Sequence, residues 1–155
     1  AFPTALDLAN ASFDDVATLV KSAGLWQTKT RNLINTAKIL VEKHGGEVPR
    51  TREELEALPG VGRKTASVVL ANAFQIPAIA VDTHVFRVAN RIGLAHALNP
   101  YQTELQLMEA IPEKYWIDAH HWLILHGRAL CKARKPLCDQ CPLRPHCSYF
   151  QDSSS

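Results

Sequence analysis

No apolar run in this 155-residue chain exceeds a handful of residues, so no segment is long enough to span a bilayer. Charge of one sign is also missing: 17 Lys and Arg stand against 15 Asp and Glu, and a net +2 selects no partner by itself. No polar–apolar alternation of strand type occurs, and no internal repeat, which leaves helices as the only regular structure to look for. Nor does the chain begin like an exported protein. Ala1-Phe2-Pro3 has neither an initiator Met nor a basic region before an apolar run, so a secretory signal is unsupported and the chain reads as a processed or cut product. What remains, 46% hydrophobic and 21% charged, is ordinary for a globular domain, or for two small ones sharing a core.

Cysteine is absent from the first 130 residues and then occurs four times in 17, as Cys131, Cys138, Cys141 and Cys147. Disulfide frameworks normally spread over a fold, because closing longer loops constrains the unfolded chain more. Thiols gathered this tightly suit a metal centre better. Zinc takes four thiolates, usually as two CxxC pairs, and only one such pair is present. An iron–sulfur cubane also takes four and tolerates unequal gaps. By spacing alone both metals remain open, with disulfides a distant third. Charge gathers in the same place: residues 128–155 hold 5 basic and 2 acidic residues, whereas residues 1–57 hold 7 and 8 and residues 58–127 hold 5 and 5. Arg128, Lys132, Arg134, Lys135 and Arg144 surround or interrupt the cysteines.

The remainder reads as helices. Ser12 caps a helix with Asp14 and Asp15 in its first turn and Gly24 as its stop. Leu33, Ile34, Ala37, Leu40 and Val41 mark one helical face, ended by Gly45-Gly46. Thr51-Arg52-Glu53-Glu54 is a capping box, and Lys64 to Phe74 form a further helix. An extended run, 77–81, leads to Asp82, which caps a helix carrying Val85, Val88, Ala89 and Ile92 and closed by Gly93. Asn99-Pro100 opens another, and Pro112 a last long one with Trp116, Trp122, Leu123 and Leu125 toward its buried side. The predicted fold is all-α, a helical bundle ending in a small cysteine-bound loop.

Between two of these helices lies Leu58-Pro59-Gly60-Val61-Gly62-Arg63-Lys64-Thr65-Ala66. Glycine at alternate positions permits positive φ and close backbone approach. The amides of such a turn, followed by a helix N-terminus, can take a phosphate oxygen without regard to base sequence. An ordinary αα-corner uses the same residues, and the two readings are equally open here.

This segment resembles the helix-hairpin-helix motif of the DNA glycosylases. Val81-Asp82-Thr83-His84-Val85-Phe86-Arg87-Val88 is similar to the aspartate-bearing segment that follows it in that superfamily, and Cys-x6-Cys-x2-Cys-x5-Cys to the 4Fe-4S loop of its endonuclease III branch. The run from His120 to Arg128 resembles that branch as well. The resemblance covers essentially the whole chain. It implies a glycosylase domain over residues 1–112, with the helix-hairpin-helix motif, and a C-terminal helix and cluster domain over 113–155.

The resemblance also implies a chemistry. Such enzymes extrude a damaged nucleotide from the duplex. A lysine amine then displaces the base at C1′, leaving a Schiff base from which β-elimination cuts the strand. Lys64 occupies the lysine position and Asp82 that of the carboxylate that stabilises charge on the sugar or moves the amine's proton. Relatives that excise adenine from mismatches lack the lysine, so Lys64 favours the bifunctional glycosylase and lyase acting on oxidised pyrimidines. Leu58, Pro59, Gly60, Val61, Gly62, Arg63 and Thr65 of the hairpin and Lys132, Arg134 and Lys135 of the loop become candidate contacts to double-stranded DNA. Cys131, Cys138, Cys141 and Cys147 become ligands of one 4Fe-4S cluster with a structural and DNA-positioning role. His120, His121 and His126 are expected to be packed or hydrogen-bonded rather than catalytic. An intracellular, cytoplasmic monomer is expected. Family members carry a further stretch before the point matching Ala1, with a glutamine-bearing segment that enters the duplex and a helix that packs on the cluster domain. The alternatives are a non-catalytic DNA-binding fragment, a monofunctional adenine-mismatch glycosylase, and a zinc-stabilised structural domain.

Overall fold

The computed structural model describes residues 1–153, and no strand occurs among them. The helices are α1 (Ala5–Ala9), α2 (Phe13–Val20), α3 (Trp26–His44), α4 (Arg52–Glu56), α5 (Arg63–Phe74), α6 (Thr83–Ile92), α7 (Pro100–Ala110), α8 (Trp116–Ala129) and α9 (Ser148–Ser153). Single 3-10 turns lie at Glu113–Tyr115, Cys138–Gln140 and Arg144–His146. No helix is long and apolar enough to cross a membrane among the described residues. The all-α expectation holds. By its internal contacts the chain divides into two units, residues 1–66 and residues 67 onward, the boundary falling within α5.

In the first unit the caps act as their chemistry dictates. The Ser12 hydroxyl accepts the Asp15 N–H at 3.2 Å, and that of Thr51 accepts the Glu54 N–H at 3.4 Å. Gly45 ends α3 with φ +61. α3 buries Thr30, Ile34, Ala37 and Leu40, and α1 and α2 pack on it, α2 contributing Val16 and Ala17. α1 was not foreseen, although Thr4 and Asp7 form a complete capping box.

The second unit is built on α6, against which α7, α8 and α9 pack. Its core joins Ile79, Val81, Val85, Val88, Ala89, Leu107 and Leu123. α8 departs from the expected register. A 3-10 turn follows Pro112, and the buried stripe runs Ala119, His120, Leu123 and Gly127. Trp122 and Leu125, expected on the buried side, are 57% and 62% exposed. They lie off that stripe, because the close approach of α8 to α6 selects its smallest residue. A Cβ on Gly127 would come within 2.9 Å of Val88 and 3.3 Å of His84.

Candidate active site and nucleic-acid interface

The hairpin between α4 and α5 is built from within the first unit. The Val61 N–H returns to the Leu58 carbonyl at 3.1 Å, closing a turn in which Gly60 has φ +77. The Gly62 carbonyl accepts the first α5 bond from Ala66 at 2.9 Å. α3 supports the turn from one side: Thr36 donates to the Pro59 carbonyl at 3.3 Å, and a Cβ on Gly60 would collide with the Asn32 amide group. Arg52 donates to the Arg63 carbonyl at 3.4 Å. Gly60, Gly62 and Thr65 are exposed, and Pro59, Val61 and Arg63 partly so. Leu58 is only 5% exposed, so any part it plays at DNA is through its backbone, its side chain serving the core. Lys64, the second residue of α5, is exposed.

Beside this turn is a cleft of about 360 Å³ lined by Ala23, Lys29, Asn32, Thr36, Pro59 and Gly60. Leu25, two residues beyond Ala23 at the start of α3, is the feature that sequence reasoning missed. It stands in the left-handed conformation, φ +57 and ψ +34, and is 81% exposed. The left-handed region is strained for a branched apolar residue, and such strain gathers at ligand-binding positions. Its sequence signal was faint: a leucine at a helix start where a polar cap is usual.

In the second unit Asp82 is half-buried and caps α6. Its Oδ1 accepts the N–H groups of His84 and Val85, both at 2.8 Å, leaving Oδ2 without a partner among the described residues. One carboxylate oxygen therefore fixes the side chain while the other is available for chemistry. Along α6, Arg87 donates to the carbonyls of Cys131 (3.1 Å) and Gly127 (3.0 Å), and Arg91 to those of Lys132 (2.7 Å) and Ala133 (3.1 Å). The helix capped by Asp82 thus grips the cysteine loop.

The chemistry of that loop suits a metal group. All four cysteines are free thiols, Cys147 buried and the others partly so. Burial pushes the Cys138 thiol up, and Cys131, Cys147, Cys141 and Asp139 push it the same way by their charge, as expected where four thiolates gather. An Arg91 N–H faces Cys131 Sγ at 3.6 Å, and the His126 Nε2 lies the same distance from Cys141 Sγ. Burial lowers the His126 pKa and so favours its neutral ring. An iron–sulfur cubane takes four thiolates at unequal sequence spacing, and this donor set suits it. Lys132, Arg134 and Lys135 project exposed from the loop, Lys135 with φ +52. Arg144 is engaged, 3.7 Å from Asp139 and 5.1 Å above the Phe150 ring.

Residues 1–113 match the family model described as HhH-GPD superfamily base excision DNA repair protein. The chain belongs to that superfamily. Within HhH-GPD proteins its branch is set by residues 131–147, which match the iron-sulfur binding domain of endonuclease III, and the cofactor of this loop is a 4Fe-4S cluster. Endonuclease III of Escherichia coli (strain K12) is 53% identical over 136 residues, which is 88% of this chain and 64% of that protein. Endonuclease III of Thermotoga maritima is 42% identical over 150 residues, 97% of this chain and 70% of that one. The chain therefore spans just under two thirds of the length of the first of these relatives. The structure of a trapped endonuclease III–DNA covalent intermediate superposes with a TM-score of 0.91 at 42% identity, covering 98% of this chain and 72% of that one. A thermostable thymine-DNA glycosylase follows at 0.86 and 29%, covering 96% and 70%.

Proposed function

We propose that this HhH-GPD chain is a bifunctional DNA glycosylase and abasic-site lyase of base excision repair, acting on oxidised pyrimidines in duplex DNA. The observation that carries the reading is the exposed Lys64 in the first turn of α5, directly after a turn whose shape is held by α3. The hairpin amides hold a backbone phosphate without regard to sequence. The Lys64 amine attacks C1′ of the extruded nucleotide. The C1′–N bond breaks and its electron pair leaves with the base. The amine gives up one proton, the C1′–O4′ bond opens with O4′ taking a proton, and a protonated Schiff base remains. Removal of a C2′ proton then breaks the C3′–O bond and cuts the strand. Asp82, held through Oδ1, presents Oδ2 to the positive charge that builds on the sugar or to the proton leaving the amine.

Two further parts fit the same reading. Leu25, apolar and 81% exposed at the start of α3, is a wedge for the base stack, where apolar side chains are commonly inserted at kinked steps. Lys132, Arg134 and Lys135 follow the phosphate track, held by a loop that the cluster shapes. The cluster, when bound, supplies structural cross-linking, and no step of the reaction runs through it.

The test is reduction with borohydride on a duplex containing an oxidised pyrimidine, using the intact gene product. The wild-type protein should give a covalent adduct and Lys64→Ala none, with duplex affinity kept within a few-fold. An adduct formed by Lys64→Ala at the wild-type rate assigns the nucleophile elsewhere and refutes the reading.

A further inference from the structure

The irregular run before α6 is deeply buried over residues 78–81, with Ala78, Ile79, Ala80 and Val81 between 0% and 7% exposed. No strand lies beside it among the described residues, so no sheet ladder satisfies its peptide groups, and buried peptide groups must be satisfied. The Ala80 carbonyl takes its bond from a side chain 40 residues away: the His120 Nδ1 lies 2.7 Å from it. A carbonyl only accepts, so Nδ1 carries the proton, which fixes the tautomer of a ring that is itself 5% exposed.

Ala80 is two residues before Asp82. Downstream, Asp82 is tied to the first turn of α6 by the two 2.8 Å bonds from His84 and Val85. Upstream, the nearest tie is the His120 bond. Both helices involved, α6 and α8, pack closely at Gly127.

We propose that His120 is a positioning residue for Asp82: by holding the Ala80 carbonyl it sets where the chain enters α6, and so where Oδ2 points. The inference rests on the reading of Asp82 as the charge-stabilising carboxylate. Displacing a reacting group by about 1 Å can cost on the order of a hundredfold in rate, so removing the upstream tie has leverage without any contact to DNA.

The experiment measures single-turnover borohydride trapping at saturating DNA on a pre-formed abasic site, using the intact, cluster-loaded gene product. His120→Leu keeps the volume and loses the donor; His120→Asn places an amide N–H near the position of Nδ1. His120→Leu should slow trapping by about ten- to a hundredfold at unchanged affinity, and His120→Asn should restore it to within about threefold. In an Asp82→Asn background His120→Leu should cost almost nothing more, because the group it positions is already disabled. Should the leucine variant not accumulate, the comparison is read between His120→Asn and His120→Gln, whose amide falls at the other ring nitrogen. Equal losses in both backgrounds, or an asparagine variant as slow as the variant without a donor at Nδ1, would show a merely structural histidine and overturn the proposal. A wild-type rate for Asp82→Asn alone removes the role of Asp82, and this proposal with it.

Discussion

Gly60 is the point where the hairpin can be broken without removing any side chain. Alanine there meets two costs. A non-glycine residue held at φ +77 carries about 1–2 kcal/mol of left-handed backbone strain. Its Cβ would also press on Asn32, whose Cγ would stand at 3.1 Å and Cβ at 3.4 Å behind the amide nitrogen. Overpacking costs about 1–3 kcal/mol, and the low end applies because the nearest atom ends a short side chain with two torsions. Gly60→Ala should therefore destabilise by roughly 2–3 kcal/mol, seen as a lower urea midpoint at constant slope. In an Asn32→Ala background the collision is gone and the backbone strain stays, so the same change should cost only about 1–2 kcal/mol. A turn that moves to relieve strain loses the aim of its amides. Affinity should then fall about tenfold for each 1.4 kcal/mol so released, for damaged and undamaged duplex alike, because phosphates carry no sequence. Wild-type stability for Gly60→Ala, or an equal loss in both backgrounds, would refute the argument that φ and Asn32 together dictate glycine here.

Replacing Lys132, Arg134 and Lys135 together by Ala should lower the slope of log affinity against log salt by up to about three units, roughly one for each phosphate no longer neutralised. An unchanged slope in a salt titration would make the loop a merely solvated surface. Leu25→Ala should leave the urea midpoint where it is, since the side chain is 81% exposed, yet slow excision from duplex more than from a single strand. Equal rates on the two substrates would exclude a wedge.

What was legible in the sequence was local. Asp82, Ser12, Thr51 and Asn99 each cap a helix through a bond spanning two or three residues, and Gly45 and Gly93 close helices at positive φ, so a short window contains the whole cause. The cysteines and the hairpin were legible for the same reason. The register of α8 was not, because Trp122 and Leu125 are apolar and a window cannot tell which apolar residues face a neighbouring helix. That choice was made by Gly127 against Val88 and His84, about forty positions away in the chain.

The same distance separates candidate residues from what holds them. Lys64 and Asp82 could be picked out from short segments, but the side chains that aim the groups around them could not. Thr36 reaches Pro59 across 23 residues, His120 reaches Ala80 across 40, and Arg91 reaches Ala133 across 42. Each of these is an ordinary residue on a helix by any local reading. Each becomes specific only because its partner is a carbonyl in a segment without a ladder: the hairpin turn, the irregular run before α6, and the cysteine loop. Buried irregular backbone must be satisfied, and here regular helices supply the donors. The consequence is directional. Replacing Lys64 should abolish the chemistry outright, whereas substitutions at the donors should slow it by degrees, and only the latter should be rescued by another side chain that carries an N–H or O–H to the same point.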